Sequence, residues 1–172
     1  LRVYGHRSDH ARLPGLTHPL DDGAEFAFGS LRVRAHHVPG HTLGALAYEV
    51  SAQDGPRWLF TGDTLFLGGC GPLFEGTPTR MFASLQKLDG DGDDVLVGCG
   101  HEYTASNLRF ARHLAPDDAA VQDRLAEVEA LRARGAPTVP APLGAERATN
   151  PFLRAPDVET FAARRAAKDS FR

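Results

Sequence analysis

The sequence predicts an α/β (α+β) chain in two parts, strand-rich to about residue 103 and all-helical beyond it. Two observations carry this. Short alternating or apolar runs, separated by Gly, Pro and Asp turns, recur through the first part, which is how strands read. From Thr104 the apolar residues recur instead at helical spacing. A third observation concerns chemistry. Three strand-like runs end in turns that each present one metal-type ligand: Pro39-Gly40-His41-Thr42, Thr61-Gly62-Asp63-Thr64 and Cys99-Gly100-His101-Glu102.

In chain order, Leu1 to Tyr4 reads as a strand, and residues 5–23 have loop composition. Glu25 to Phe28 and Leu31 to Arg34 alternate around Gly29-Ser30, predicting a hairpin with one wet face. Ala45 to Val50 and Arg57 to Thr61 are further strands, the second delivering Asp63. Residues 67–78 form a glycine-rich loop. Thr79 to Leu88 is helical, with Met81, Phe82, Leu85 and Leu88 on one side. Asp89 to Asp94 is an acidic turn that lacks the closing Glu of an EF-hand loop. Val95 to Val97 is a continuous apolar run, as in a strand buried on both faces. Thr104 to Leu114 is a helix stopped by Pro116. Asp117 caps the next, whose stripe is Val121, Leu125, Val128 and Leu131 and whose end is Gly135. Pro137, Pro140 and Pro142 mark an extended linker, Asn150 to Leu153 a turn with two apolar anchors, and Asp157 the start of a last helix to about Phe171.

Composition excludes several classes. With 172 residues, net charge -3 and no basic stripe, nucleic acid is not the expected partner. No run of about 18 apolar residues reads as a membrane span, and no secretory-signal pattern is read. Two cysteines, Cys70 and Cys99, do not make a disulfide framework and fit a reduced, cytoplasmic setting. The mixed cluster His6, Asp9 and His10 reads as a polar surface loop rather than a metal site.

His41, Asp63 and His101 are the residues with chemistry to offer. Imidazole binds zinc, iron or manganese through a neutral nitrogen, and a carboxylate can bridge two cations. Such a pair acidifies water and polarises a carbonyl oxygen. No nucleophile-elbow serine is present, so metal-assisted hydrolysis is the stronger expectation.

Several stretches then resemble a known family. Phe60-Thr61-Gly62-Asp63-Thr64-Leu65-Phe66, Gly69-Cys70-Gly71, Phe74-Glu75-Gly76-Thr77 and Cys99-Gly100-His101-Glu102-Tyr103-Thr104 are similar to glyoxalase II, the hydroxyacylglutathione hydrolase family of the metallo-β-lactamase fold superfamily. Pro39 to Gly44, Asn107 to Ala111, Asn150-Pro151-Phe152 and Arg165 with Lys168-Asp169 fit as well, in order along the chain. The resemblance implies the C-terminal portion of an αββα sandwich over residues 1–103, followed by an all-helical glutathione-binding domain over 104–172. It implies two divalent metal ions, zinc, iron or manganese, with His41 on one, His101 on the other and Asp63 bridging as the catalytic carboxylate. The implied substrate is a glutathione thioester, typically S-lactoylglutathione, as in methylglyoxal detoxification. Tyr103, Arg165 and Lys168 match glutathione-binding residues, and Phe74 stands where some relatives carry a tyrosine. The implied protein is a monomer at full length, with neither nucleic acid nor membrane as partner.

The chain also departs from the family. The Thr-His-x-His-x-Asp-His motif should precede Leu1 to Tyr4 and is not found, so these residues are expected to be the C-terminal part of a longer product. Alone, they are expected to bind metal weakly, to hydrolyse thioester slowly or not at all, and to expose the sheet edge near Leu1 and the core behind Val95 to Val97. Pro72 replaces a basic residue, and Ala45 a histidine, of many relatives. A mononuclear-iron persulfide dioxygenase of the same superfamily is the alternative. It is disfavoured because that branch lacks the helical tail with Asn-Pro-Phe and Arg-x-x-Lys. An inactive fragment is the reading if the chain is complete as given.

Overall fold

The computed structural model describes residues 1–171. It is a mixed α/β fold whose centre is a six-stranded sheet built from β3 (Glu25–Phe28), β4 (Leu31–His37), β5 (Leu46–Ser51), β6 (Trp58–Gly62), β9 (Leu96–Cys99) and the short β10 (Ala141–Pro142). Their order across the sheet is β10-β9-β6-β5-β4-β3. The alternation in residues 25–34 does make a hairpin, with Phe26 paired to Val33 and Phe28 to Leu31.

Period-2 geometry sends alternate residues to opposite faces. Ala47, Leu59 and Val97 share one face and are fully buried. Helix α1 (Pro78–Leu88) closes that face with Met81, Leu85 and Leu88, all fully buried in the same apolar cluster. Each such side chain contributes about 1.5–3 kcal/mol of burial. Thr77 caps α1 through the Arg80 amide, and Pro78 occupies the first turn, where its missing N–H costs nothing. The opposite face carries Tyr48, Val50 and the stacked Trp58–Phe60 pair, with Phe60 43% exposed.

Several sequence expectations require correction. The first strand, β1, runs Tyr4–His6 rather than from Leu1, which is fully exposed. The loop-like stretch after it hides a second strand, β2 (His18–Leu20), parallel to β1, and a 3₁₀ turn at Arg7–Asp9. Polar and proline-rich composition masked both. The core behind Val95 and Val97 is not exposed: both are fully buried, because α1 and Leu143 cover them. Exposed apolar side chains lie elsewhere, Phe28, Phe60 and Phe74 among them.

The glycine-rich stretch folds into a hairpin of β7 (Leu65–Phe66) and β8 (Gly69–Cys70). Beyond β9 the chain holds α2 (Thr104–Leu114), α3 (Ala119–Ala133), α4 (Leu143–Thr149) and α5 (Val158–Ser170), but it is not all-helical as expected, since β10 lies between α3 and α4 and pairs with β9. Asp118, not Asp117, caps α3, since its carboxylate accepts from the Val121 amide. The proline-marked linker is extended only to Pro142, after which α4 begins unannounced. Phe110, Phe152 and Phe161 join the same cluster as Leu59 and Val97, so α2, α5 and the sheet share that core, while Leu108, Leu125 and Val128 form a second cluster between α2 and α3.

Candidate active site

Strand direction assembles the site. β4 is antiparallel to β5, β5 is antiparallel to β6, and β6 is parallel to β9. β4, β6 and β9 therefore run the same way, and their C-terminal ends meet on one edge. His41 lies in the turn after β4, Asp63 immediately after β6 and His101 two residues after β9. The structure brings these three together. His41 Nε2 lies 3.6 Å, and His101 Nε2 3.4 Å, from the same oxygen, Asp63 Oδ2.

Glycines make this approach possible. Gly62 turns the chain at φ 51°, a region that L side chains avoid. A Cβ on Gly100 would stand 2.4 Å from Asp63 Oδ1, and one on Gly71 would stand 2.0 Å from the Asp63 carbonyl oxygen. Thr61, buried, donates its hydroxyl to the Leu65 carbonyl at 2.7 Å, closing the turn that holds Asp63.

His41 Nδ1 lies 2.9 Å from the Pro72 carbonyl oxygen. A carbonyl only accepts, so Nδ1 carries a proton, and Nε2, which faces Asp63, is the nitrogen that a metal could take. Two ligands on a tetrahedral ion, with bonds near 2.1 Å, stand about 3.4 Å apart. The two imidazole–carboxylate separations match that spacing. His41, Asp63 and His101 thus fit a metal as two pairs sharing an oxygen. Among the described residues no group of three or more His, Cys, Asp or Glu closes around a single ion.

Neither cysteine is a competing nucleophile. Burial pushes the Cys70 thiol up to about 12, against a downward pull from Arg165, and burial also raises Cys99. Both thiols are free.

The substrate-side candidates divide. Tyr103 is half-exposed and stacks on His101 at 4.9 Å between ring centroids, with Phe66 edge-on behind it. Phe74 is 73% exposed with its ring 4.7 Å from that of His41. Arg165 is not on the surface. It is 6% exposed, donates to the Cys70 carbonyl at 2.7 Å and to Asp169, and lies over the Phe152 ring. Lys168 lies over Phe110 and Phe171, 3.4 Å from Ser106 Oγ, and burial, followed by the Arg165 charge, lowers its pKa.

Sequence reasoning missed the groups that hold the β7–β8 hairpin beside Asp63. Asn107 donates to the Leu67 carbonyl, Asn150 to those of Phe66 and Gly69, and Glu146 accepts the Gly68 amide. The available signal was Gly68-Gly69: a Cβ on Gly69 would stand 2.7 Å from the Asn107 amide group.

Comparison with known proteins identifies the family of both parts of the chain. Residues 3–101 match the metallo-beta-lactamase superfamily, and residues 102–171 match the family described as hydroxyacylglutathione hydrolase C-terminus. A hydroxyacylglutathione hydrolase of Acidiphilium cryptum is 51% identical over 99% of this chain and 68% of its own length. One from Gloeobacter violaceus is 49% identical over 99% of this chain and 71% of its own. The chain thus spans about two thirds of these relatives. Among solved structures, ETHE1 from Myxococcus xanthus superposes with TM-score 0.67 at 20% identity, over 96% of this chain and 57% of that one, a likeness of fold. TTHA1623 in a di-iron-bound form superposes with TM-score 0.51 at 25% identity, over 88% of this chain and 65% of that one.

Proposed function

The chain belongs to the hydroxyacylglutathione hydrolase family of the metallo-β-lactamase superfamily, and we propose that its residues serve metal-dependent hydrolysis of glutathione thioesters, S-lactoylglutathione foremost. The observation that carries the reading is the convergence of two imidazole nitrogens on one Asp63 oxygen. His41 with Asp63 would hold one divalent ion and His101 with Asp63 the other. TTHA1623, similar to this chain at 25% identity and solved in a di-iron-bound form, supports a count of two. Zinc, iron and manganese all suit these ligands. When bound, the ions bring the pKa of water toward neutral and polarise the thioester carbonyl.

The chain's own residues do the rest. Pro72 fixes the tautomer of His41 and so keeps Nε2 available. Tyr103 and Phe74 flank the two imidazoles and present the surface that the acyl–sulfur end would meet. The departing thiol has a pKa near 8.5, so it leaves as thiolate without a dedicated general acid. Lys168 and Tyr103 would bind the glutathione moiety, with Arg165 shaping that surface from behind. Residues 1–103 would form the metal-bearing part and 104–172 the glutathione-binding part, in a cytoplasmic enzyme of methylglyoxal detoxification. Among the described residues each ion would have two protein ligands, fewer than the three or four of a tight site. Metal would therefore be held loosely and turnover would be slow.

The test is thiol release from S-lactoylglutathione by the 172-residue chain with added zinc, ferrous iron or manganese. The expected result is slow, metal-dependent release that Asp63→Asn abolishes. Release unaffected by that substitution, or none from a chain shown to carry two ions, would overturn the reading.

A further inference from the structure

We propose that Glu75 is a positioning residue for His41, acting through the backbone of the turn that carries it. The inference rests on His41 being a metal ligand, and it gives a use to the His6–Arg12 loop, which the proposed chemistry leaves unexplained.

The segment 72–76 is laced to the turn 40–43 by four hydrogen bonds. Two join backbone groups alone, the Glu75 amide donating to the His41 carbonyl at 3.3 Å and the Gly76 amide to the Gly40 carbonyl at 3.0 Å, and in the third His41 Nδ1–H donates to the Pro72 carbonyl. The fourth is a side chain. Glu75 Oε2 accepts the Leu43 amide at 2.7 Å. The two segments lie too close for side chains between them, since a Cβ on Gly76 would stand 2.5 Å from the Gly40 carbonyl oxygen. The carboxylate of Glu75 therefore reaches around the turn and closes it from outside.

Leu43 is held from its other side as well. Its carbonyl accepts His37 Nε2 at 2.8 Å, and His37 stacks on His6 with centroids 3.7 Å apart. The carboxylate of Glu75 is itself fixed, because Arg12 bridges its Oε1 to Asp9. Asp9 packs against Gly44, where a Cβ would stand 2.1 Å from Asp9 Oδ2. The loop from His6 to Arg12 is thus a brace rather than a metal site. Its contacts converge on the residue two places beyond His41. With the turn fixed, the imidazole faces Pro72 on one nitrogen and Asp63 on the other. With it loose, the Pro72 bond competes with water and the tautomer is no longer single.

The test reads the ring itself and needs neither metal nor substrate. Long-range ¹H–¹⁵N correlation spectra of the His41 imidazole in the 172-residue chain are recorded for the wild type, Glu75→Ala, Glu75→Asp and Glu75→Gln, beside near-ultraviolet dichroism to establish folding. The wild type should show one Nδ1–H tautomer. Glu75→Gln keeps an oxygen of the same reach for the Leu43 amide but gives up the Arg12 ion pair, so it should lie between the wild type and Glu75→Asp, nearer the wild type. Glu75→Asp keeps the charge but falls a methylene short of the Leu43 amide, so it should show tautomer averaging, as should Glu75→Ala. Cobalt affinity should fall in the same order, about 10–100-fold for the two disrupted variants. A folded Glu75→Asp with the wild-type tautomer, or a Glu75→Gln as averaged as Glu75→Asp, overturns the proposal. The thioester reading fails separately, in the Asp63→Asn assay.

Discussion

Replacing Glu146 by alanine is the most demanding perturbation available between the helices and the site. Glu146 is fully buried, and its carboxylate has three partners: the Gly68 amide at 2.7 Å, the Asn150 side-chain amide at 2.9 Å and the Arg124 guanidinium. Arg124 itself is only 11% exposed along its side chain. Among the described residues no buried side-chain nitrogen or oxygen lacks a partner, so the network has no slack. Alanine leaves a buried guanidinium without its carboxylate, a loss of about 3–5 kcal/mol. The orphaned Gly68 amide overlaps with that figure rather than adding to it. At about 2–4 °C per kcal/mol for a chain of this size, the melting temperature should fall by roughly 6–20 °C. Urea and thermal unfolding followed by circular dichroism measure it. Removing both charges, as Glu146→Ala with Arg124→Met, should recover part of the loss, because no buried charge is then left alone. A single-mutant cost below about 1 kcal/mol, or a double mutant worse than the sum of its parts, would refute the reasoning.

Two further predictions follow from the site and the helix ends. Gly100→Ala places a methyl 2.4 Å from Asp63 Oδ1, so the carboxylate must swing away from the imidazoles. Calorimetric zinc binding should weaken by about 10–100-fold with little change in melting temperature, and unchanged affinity would count against the shared-oxygen geometry. Asp118 caps α3 and Asp157 caps α5. Arg154 and the Val121 amide hold the Asp118 carboxyl below its ordinary range, and the Thr160 amide does so for Asp157. A depressed carboxyl stabilises the fold above its unfolded pKa and loses that contribution as pH falls through its folded one. Stability measured by urea titration should therefore fall as pH drops below about 4, and Asp118→Asn should flatten that slope. An unaltered slope would show that other carboxyls govern acid unfolding.

Much of the site was legible in the sequence because strand ends are legible. Apolar runs stopped by Pro-Gly, Gly-Asp and Cys-Gly-His announce turns, and three such turns with ligands predict an edge. Their common direction needed the structure, since only the β4–β5–β6–β9 pairing makes them parallel. The partner of His41 was illegible for a different reason: a backbone carbonyl, that of Pro72, leaves no trace in residue type. Helix α4 was hidden by the prolines before it and by its length of 7 residues, too short for a periodic stripe. Arg165 was legible only as a match to a glutathione-binding position of the resembled family; its burial, with the guanidinium donating to the Cys70 carbonyl, needed the structure.

The central claim is that Asp63 is shared between two metal half-sites. Anomalous diffraction from crystals of the chain equilibrated with zinc tests it most directly. Two peaks should flank Asp63 Oδ2, one toward His41 Nε2 and one toward His101 Nε2. A single peak elsewhere, at His6 and Asp9 for example, or none near Asp63, would contradict it.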